Sequence, residues 1–417
     1  GAISAAGKPL IVNTDGTVAE AAVTTVTQAV GSEVVFESAG TNFLSATYDS
    51  NAQKVVISYR DDGNSSYGTA VVGTVSGSSI SFGTPVVFES ANSYNNIIVY
   101  DSNAQKVVIA YRDLGNSNYG TAIVGTVSGT SISFGSPTVF ESATSSHISA
   151  AYDSTAQKVV IVYRDGGNSS YGTAIVGTVS GTSISFGSAA VFESADTRYT
   201  SVAYDSNANK MVIAYQDYGN SSYGTAIVGT VSGTSISFGS ATVFNSATSN
   251  FLTIVYDSNA QKMVVVYEDV GNSQYGTAIV GTVSGTSISF GSEVVFESAA
   301  IHYTGLAYNS NAQKVVVVYQ DGGNSDYGTA ITGTVSGTSI SFDTPIVFNT
   351  AAADYPVVAY DSNADKSVIA YNDDGNSDYG TAIVHTTGSV TENLTTENFI
   401  GTSAHSAADG AKVLVNT

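Results

Sequence analysis

Short apolar runs alternate along this chain with clusters of Asp, Ser, Asn and Gly. In Val55-Val56-Ile57-Ser58-Tyr59, positions 55, 57 and 59 point one way and 56 and 58 the other, the period of two that defines a β-strand. The second set is not a polar face: the place of Ser58 is taken by Ala110, Val162, Ala214 and Val266 further along. Both faces are therefore largely apolar, which predicts strands covered on both sides rather than half-solvated. Turn chemistry separates the runs. Residues 49–53 and 76–78 are rich in Asp, Ser, Asn and Gly, and 61–66 pairs Gly63 with Asn64, residues that tolerate positive φ. The stretch reads as four strands: a variable one ending at Tyr48, then 54–60, 67–75 and 79–89.

The same stretch recurs. The Tyr of Tyr-Asp-Ser stands at Tyr48, Tyr100, Tyr152, Tyr204, Tyr256, Tyr308 and Tyr360, and that of Tyr-Gly-Thr-Ala at Tyr67, Tyr119, Tyr171, Tyr223, Tyr275, Tyr327 and Tyr379, every step being 52 residues. Four-stranded units that are apolar on both faces cover one another when stacked around an axis. The expected fold is all-β, a seven-bladed β-propeller of four-stranded antiparallel blades. Parallel β-helix coils would be shorter, and the repeat carries neither the Trp-Asp ending of WD40 units nor a regular kelch Gly-Gly pair.

The seventh unit never produces the Ser-Gly-Thr-Ser-Ile-Ser-Phe strand of the other six. At the other end of the chain, Gly31-Ser32-Glu33-Val34-Val35-Phe36 repeats Gly291-Ser292-Glu293-Val294-Val295-Phe296. The segment 22–37 is therefore expected to complete the last blade, leaving no open radial edge. This divides the chain into an N-terminal connector (1–19), a propeller (20–387) and a C-terminal connector (388–417). The connectors resemble each other: 7–14 reads GKPLIVNT and 410–417 reads GAKVLVNT.

Comparing the seven internal copies separates what the repeat fixes from what it releases. Asp-Ser-Asn-Ala-Gln-Lys and Val-Ser-Gly-Thr-Ser, which the strand order puts on one rim, recur nearly verbatim; the variation falls on the opposite rim. At the entry to the first strand stand Phe43, Asn95, His147, Tyr199, Phe251, Tyr303 and Tyr355, preceded by Asn42, Tyr94, Ser146, Arg198, Asn250, His302 and Asp354. Two further columns vary with them: Asp62, Leu114, Gly166, Tyr218, Val270, Gly322, Asp374 and Ser66, Asn118, Ser170, Ser222, Gln274, Asp326, Asp378. The first strand of a blade lies innermost, so the aromatic column is expected to ring the mouth of the axial channel. There its rings would stack on sugar faces while Asn42, Tyr94, Asn95, His147, Arg198, His302 and Asp354 bond hydroxyls. The structural alternative makes the aromatics wedges between blades and the polar variation drift on unconstrained loops.

Charge and composition narrow the partners. Thirty-four acidic residues face 13 Lys and Arg, a formal net charge of -21, which disfavours nucleic acid and anionic membranes. The absence of Cys removes disulfides, thiolate metal sites and thiol nucleophiles. No apolar run reaches 18 residues, so no membrane insertion is expected, and residues 1–20 lack the layout of a signal peptide. Asp61 and its six equivalents suit an Asx-turn, and Asp49 with Lys54 a hairpin ion pair. The turn resembles the Asp-box of sialidase-type propellers, but Tyr67 sits one place too far and Tyr59 replaces the Ser. A calcium site on Asp61 and Asn64 has too few ligands. The four histidines, His147, His302, His385 and His405, are scattered, and nothing singles out a carboxylate pair among Asp196, Glu268, Asp354 and Asp374. No catalytic residue, metal or cofactor is expected.

The recurring Tyr-Asp-Ser-Asn-Ala-Gln-Lys-Val-Val-Ile-Ala-Tyr-Arg-Asp and Gly-Asn-Ser-x-Tyr-Gly-Thr-Ala-Ile-Val-Gly-Thr-Val-Ser-Gly, over 36–387, resemble repeats of virion structural and tail-fibre-like proteins of marine bacteriophages. The ending Leu394-Thr395-Thr396-Glu397-Asn398-Phe399-Ile400-Gly401 is similar to the linkers that follow such repeats. The resemblance implies a virion or extracellular location and a host-surface glycan or protein, or other virion or fibre subunits, as partners. Three function classes follow: a binding module on the variable rim, a structural module of a fibre, and an Asp-box-like glycoside hydrolase.

Overall fold

The structure is a computed structural model of the 417-residue chain and describes residues 9–12, 17–21, 23–392, 399–403 and 415–416. In the first repeat the strands are Val34–Asp49, Lys54–Asp61, Tyr67–Ser76 and Ser79–Phe82, and the set recurs through Tyr379–Thr386. The 16-residue strand serves two blades. In Val86–Asp101, the first half pairs with the third strand of the preceding blade, from Ala70↔Val86 to Tyr67↔Asn92. The second half pairs with its own second strand, from Ser93↔Asp113 to Asp101↔Lys106. Blades 1 to 7 are numbered here by their innermost segments, 41–49, 93–101, 145–153, 197–205, 249–257, 301–309 and 353–361. The strands form one closed ring, the seven-bladed propeller expected from the repeat.

Closure uses the N-terminal segment. Tyr379–Thr386 pairs with Ala29–Val30 (His385↔Val30) and then with the first half of Val34–Asp49 (Ala382↔Val34, Tyr379↔Gly40). Residues upstream of Ala29 take another course: Val23–Val26 pairs with Ser389–Glu392. Ala29–Thr387 forms one compact unit, and Gly1–Gln28 with Gly388–Thr417 another. In the latter, Pro9–Val12 lies between Val18–Glu20 and Phe399–Ser403, and Phe399–Ser403 also pairs with Val415–Asn416. Half of the GKPLIVNT segment, most of the GAKVLVNT segment, residues 394–398 and His405 lie outside the described residues.

Seven hydrophobic clusters hold the ring, one per junction. Between blades 7 and 1, Val55, Ile57 and Tyr59 pack against Val368, Ala370 and Val384; between blades 1 and 2, Val56, Ala70 and Val72 pack against Val107, Ile109 and Tyr111. The two apolar faces of each second strand thus belong to two different junctions. Tyr59 is fully buried and its hydroxyl donates to Glu37 Oε2 at 3.1 Å, so its one polar group is satisfied. Four other copies do the same. Where Asn245 and Asn349 replace the Glu, the acceptor comes from elsewhere: Tyr267 donates to Glu293 and Tyr371 to Glu33. The shared Gly-Ser-Glu-Val-Val-Phe motif therefore marks the two blades that need a substitute acceptor.

Fixed-rim identity has a steric cause. A Cβ on Gly187 would lie 1.9 Å from the carbonyl oxygen of Thr234, in the Val-Ser-Gly-Thr-Ser turn of the next blade, and five equivalent glycines are equally blocked. Asp343 occupies this place in blade 6, because in blade 7 the chain runs on into Ser389–Glu392 instead of making that turn. Its carboxylate accepts from Lys314 and Thr332, each at 2.5 Å. His385 likewise stands where six copies have Gly. A Cβ on Gly333 would crowd Ile340 and Phe342 at 2.8 and 2.9 Å, whereas His385 faces the smaller Val30.

Two turn assignments need correction. Asp49 accepts the backbone N–H groups of Asn51 and Ala52 at 3.0 and 2.9 Å, and among the described residues no ion pair joins it to Lys54. A carboxylate this buried is better served by two fixed backbone donors than by a long solvated ammonium. In 61–66, Asp61 does cap the turn, accepting from the Asn64 N–H at 3.1 Å. Positive φ, however, falls on Ser65 and Ser66 (57° and 61°) rather than on Gly63 or Asn64. Gly63 is required for space, since its Cβ would lie 2.4 Å from that of Ala39.

Candidate functional site

On the variable rim the innermost strand is deformed in every blade. Asn42 pairs with Arg60 and Ser45 with Ser58, so Phe43 and Leu44 together oppose Tyr59: a β-bulge. The first bulge residue is left-handed in all seven copies, with φ of 51° at Phe43, 52° at Asn95, 49° at His147, 47° at Tyr199, 48° at Phe251, 44° at Tyr303 and 50° at Tyr355. Gly adopts this conformation at no steric cost, and a bulky residue costs about 1 kcal/mol or more. None of the seven is Gly. By breaking strict alternation, the bulge also lets consecutive residues face the axis. Phe251, Leu252, Tyr303, Thr304, Tyr355, Pro356, Leu44 and Val357 line a cavity of about 190 Å³ on the axial side of blades 1, 5, 6 and 7.

The rings touch from blade to blade. Centroid separations are 5.3 Å for His147–Tyr199, 5.4 Å for Tyr199–Phe251, 5.2 Å for Phe251–Tyr303, 4.5 Å for Tyr303–Tyr355 and 5.5 Å for Tyr355–Phe43, and Phe43 continues to Tyr94 at 4.7 Å. The belt is interrupted at Asn95. Its members are half-buried, so they pack on neighbours and keep part of each ring at the surface. Burial, with Arg164 and Arg198 nearby, pushes the His147 imidazole down to about 4, which keeps it neutral at physiological pH.

The polar residues form a collar around the belt. Asn42 donates to Asp62 at 2.7 Å; Arg198 lies 3.2 Å from Asp196 and 3.9 Å above the Tyr218 ring; His302 is 4.0 Å from Glu268 and edge-on to Phe251; Asp354 accepts from Gln320 at 2.6 Å. Glu268, almost fully buried, also accepts from Asn250 and Gln274, and its carboxyl is pushed up, first by burial. Burial together with Asp378 and Asp354 raises Asp374 to about 6. All twelve candidate residues thus meet on one rim.

A further column was overlooked. Arg60, Arg112, Arg164, Gln216, Glu268, Gln320 and Asn372 pair across from the collar, at Asn42↔Arg60 and its equivalents. Its signal was present: the residue after the invariant buried Tyr of strand two changes between copies. The chain's four arginines, Arg60, Arg112, Arg164 and Arg198, all lie here on blades 1 to 4, while Glu268, Asp326, Asp354, Asp374 and Asp378 lie on blades 5 to 7.

No protein-family model matches the chain, and no curated protein matches it. Among solved structures it is similar to the BP39L lectin from Burkholderia pseudomallei, with TM-score 0.62, 10% identity, and coverage of 86% of this chain and 99% of that one. The β-propeller domain of Myceliophteria thermophila Cps50 (Swd1) gives 0.54 at 7% identity, covering 87% and 99%. A protein of unknown function from Dyadobacter fermentans gives 0.52 at 12%, with the same coverage. At these identities the likeness establishes the propeller fold.

Proposed function

We propose that this chain is a non-enzymatic binding module that recognises a carbohydrate through the aromatic belt and polar collar of its variable rim. One observation carries the reading: seven non-glycine side chains are held in left-handed backbone at one bulge position, six of them rings or imidazoles in a contact chain, three of which line the axial cavity. Drift on a free loop would favour Gly or Asn at such a position. Partly exposed aromatic rings flanked by Asn, Arg, His and Asp match the apolar faces and hydroxyls of a sugar. The lectin among the structural neighbours is consistent with such a use of the fold, without specifying a site. The repeat resemblance adds a virion or extracellular appendage as its setting and a host-surface glycan as the partner.

A structural module of a fibre is the second reading, favoured by the two chain ends pairing in a unit of their own. Binding of the purified protein to a panel of bacterial surface polysaccharides separates them. Binding that is lost in Tyr303→Ala and Tyr355→Ala supports the rim; no binding to any polysaccharide favours the fibre role. Sugar release from the same panel would replace both with a glycoside hydrolase.

A further inference from the structure

Three arginines occupy equivalent places at the end of strand two, and two have a carboxylate. Arg60 Nε lies 2.7 Å from Asp62 Oδ1, and Arg164 Nε 2.6 Å from Asp196 Oδ1. Arg112 has neither partner, because Leu114 stands in the place of Asp62 and Thr144 in that of Asp196. Among the described residues its contacts are neutral: Nε and Nη2 donate to Asn118 Oδ1 at 3.0 and 2.9 Å, and the guanidinium lies 5.7 Å from the Tyr94 centroid. The adjacent Asp113 is committed to its own turn, accepting the Asn116 N–H at 3.0 Å.

The same blade carries unused hydrogen-bonding capacity. Arg112 pairs with Tyr94 and Ala110 with Ile97, so Asn95 and Asn96 form the bulge between them. Asn96 is 5% exposed and neither its Oδ1 nor its Nδ2 has a partner. Its equivalents Leu44, Leu252, Thr304 and Pro356 line the axial cavity. A buried amide without partners is costly unless something else satisfies it. Blade 2 is also where the aromatic belt is interrupted, and the Arg60 guanidinium lies over the flanking Tyr94 and Phe43 rings, 4.8 and 5.2 Å from their centroids.

Resting on the carbohydrate reading above, we propose that the rim around Arg112 binds the carboxylate of an acidic saccharide, a uronate or sialate-type residue. The planar guanidinium matches a carboxylate in a two-point contact, and Asn95 and Asn96 offer amides to the sugar hydroxyls. The ligand supplies the negative charge that Asp62 and Asp196 supply to Arg60 and Arg164. The chain's net charge of -21 opposes the approach of an acidic saccharide, but exposed charges beyond a Debye length of about 8 Å are largely screened at physiological salt, which leaves the contacts at Arg112 to decide binding.

The test measures affinity for oligogalacturonate, oligomannuronate and sialyllactose, each beside its carboxyl-reduced counterpart and beside a sulfated oligogalactan. At least one acidic member is expected to bind tenfold or more tightly than its reduced form. Arg112→Gln should remove that preference, and Leu114→Asp, which rebuilds the internal pair of blade 1, should do the same with the arginine retained. Equal affinity for acidic and reduced forms, or tighter binding of the sulfated sugar, overturns the carboxylate assignment and leaves the carbohydrate reading standing. No binding to any of these sugars or to the polysaccharide panel overturns both.

Discussion

The two rims of this propeller are built from the same seven repeats, yet one is nearly invariant and the other is not. On the fixed rim each turn keys into the preceding blade, so a side chain on Gly187 would meet the Thr234 carbonyl. Where the turn is missing, after blade 7, Asp343 and His385 appear in place of Gly. On the variable rim the bulge residue carries its side chain toward the axis, and Phe, Asn, His and Tyr all occur there. Invariance among internal copies follows contact between blades, whereas variation at a position that disfavours side chains points to selection for those side chains.

The largest effect tests the keyed rim. Gly187→Ala should cost about 3 kcal/mol or more in urea unfolding, as backbone must move, whereas Asp343→Ala at the unkeyed equivalent should cost about 1 kcal/mol. Equal costs would break the steric account.

His385 probes the same rim by pH. Burial pushes it down to about 4, against about 6.5 in the unfolded chain. Its neutral form is the one folded, so its contribution is intact above pH 6.5 and declines as pH falls toward 4, by up to about 3 kcal/mol. Comparing unfolding of wild type and His385→Asn at pH 7.5 and 4.5 should show a steeper acid loss in wild type; parallel curves would contradict it.

On the variable rim the expected effect shifts from stability to binding. Tyr303→Ala and Tyr355→Ala should each weaken carbohydrate binding roughly 10- to 100-fold, about 1.4 to 2.7 kcal/mol, while Tm changes far less than in Gly187→Ala. A collapse of Tm with intact binding would make the belt an inter-blade wedge.

The smallest effect concerns the acidic arc. Because Asp374 is raised to about 6, its ionisation opposes folding as pH rises through that value. Asp374→Asn should therefore gain about 0.5 kcal/mol at pH 7, after allowance for solvent screening, and nothing at pH 4. Unfolding midpoints at the two pH values check this.

The blades, their number and their closure were legible in the sequence because period, strand alternation and turn residues are local signals repeated seven times. So was the location of the variable rim, since strand order alone sorts the loops. The bulge was not legible: Asn42↔Arg60 and Ser45↔Ser58 register depends on pairing with a strand whose own alternation is regular, and no single residue type announces it. The arginine column escaped because it follows an invariant Tyr inside a regular strand, where variation does not read as rim. The Glu33 and Glu293 acceptors were seen only as a repeated motif, their purpose being visible once Tyr371 and Tyr267 were placed 3.1 and 2.8 Å from them.

The sequence by itself thus determined the all-β class, the 52-residue blade, the sevenfold count and the N-terminal closing segment, because each rests on hydrophobic period and turn chemistry. Tertiary structure alone decided which side chains share the axis, which arginine lacks a carboxylate and which glycine is blocked by a neighbour. These are contacts between blades, and residues about 52 apart in the chain come within bonding distance only when neighbouring blades stack.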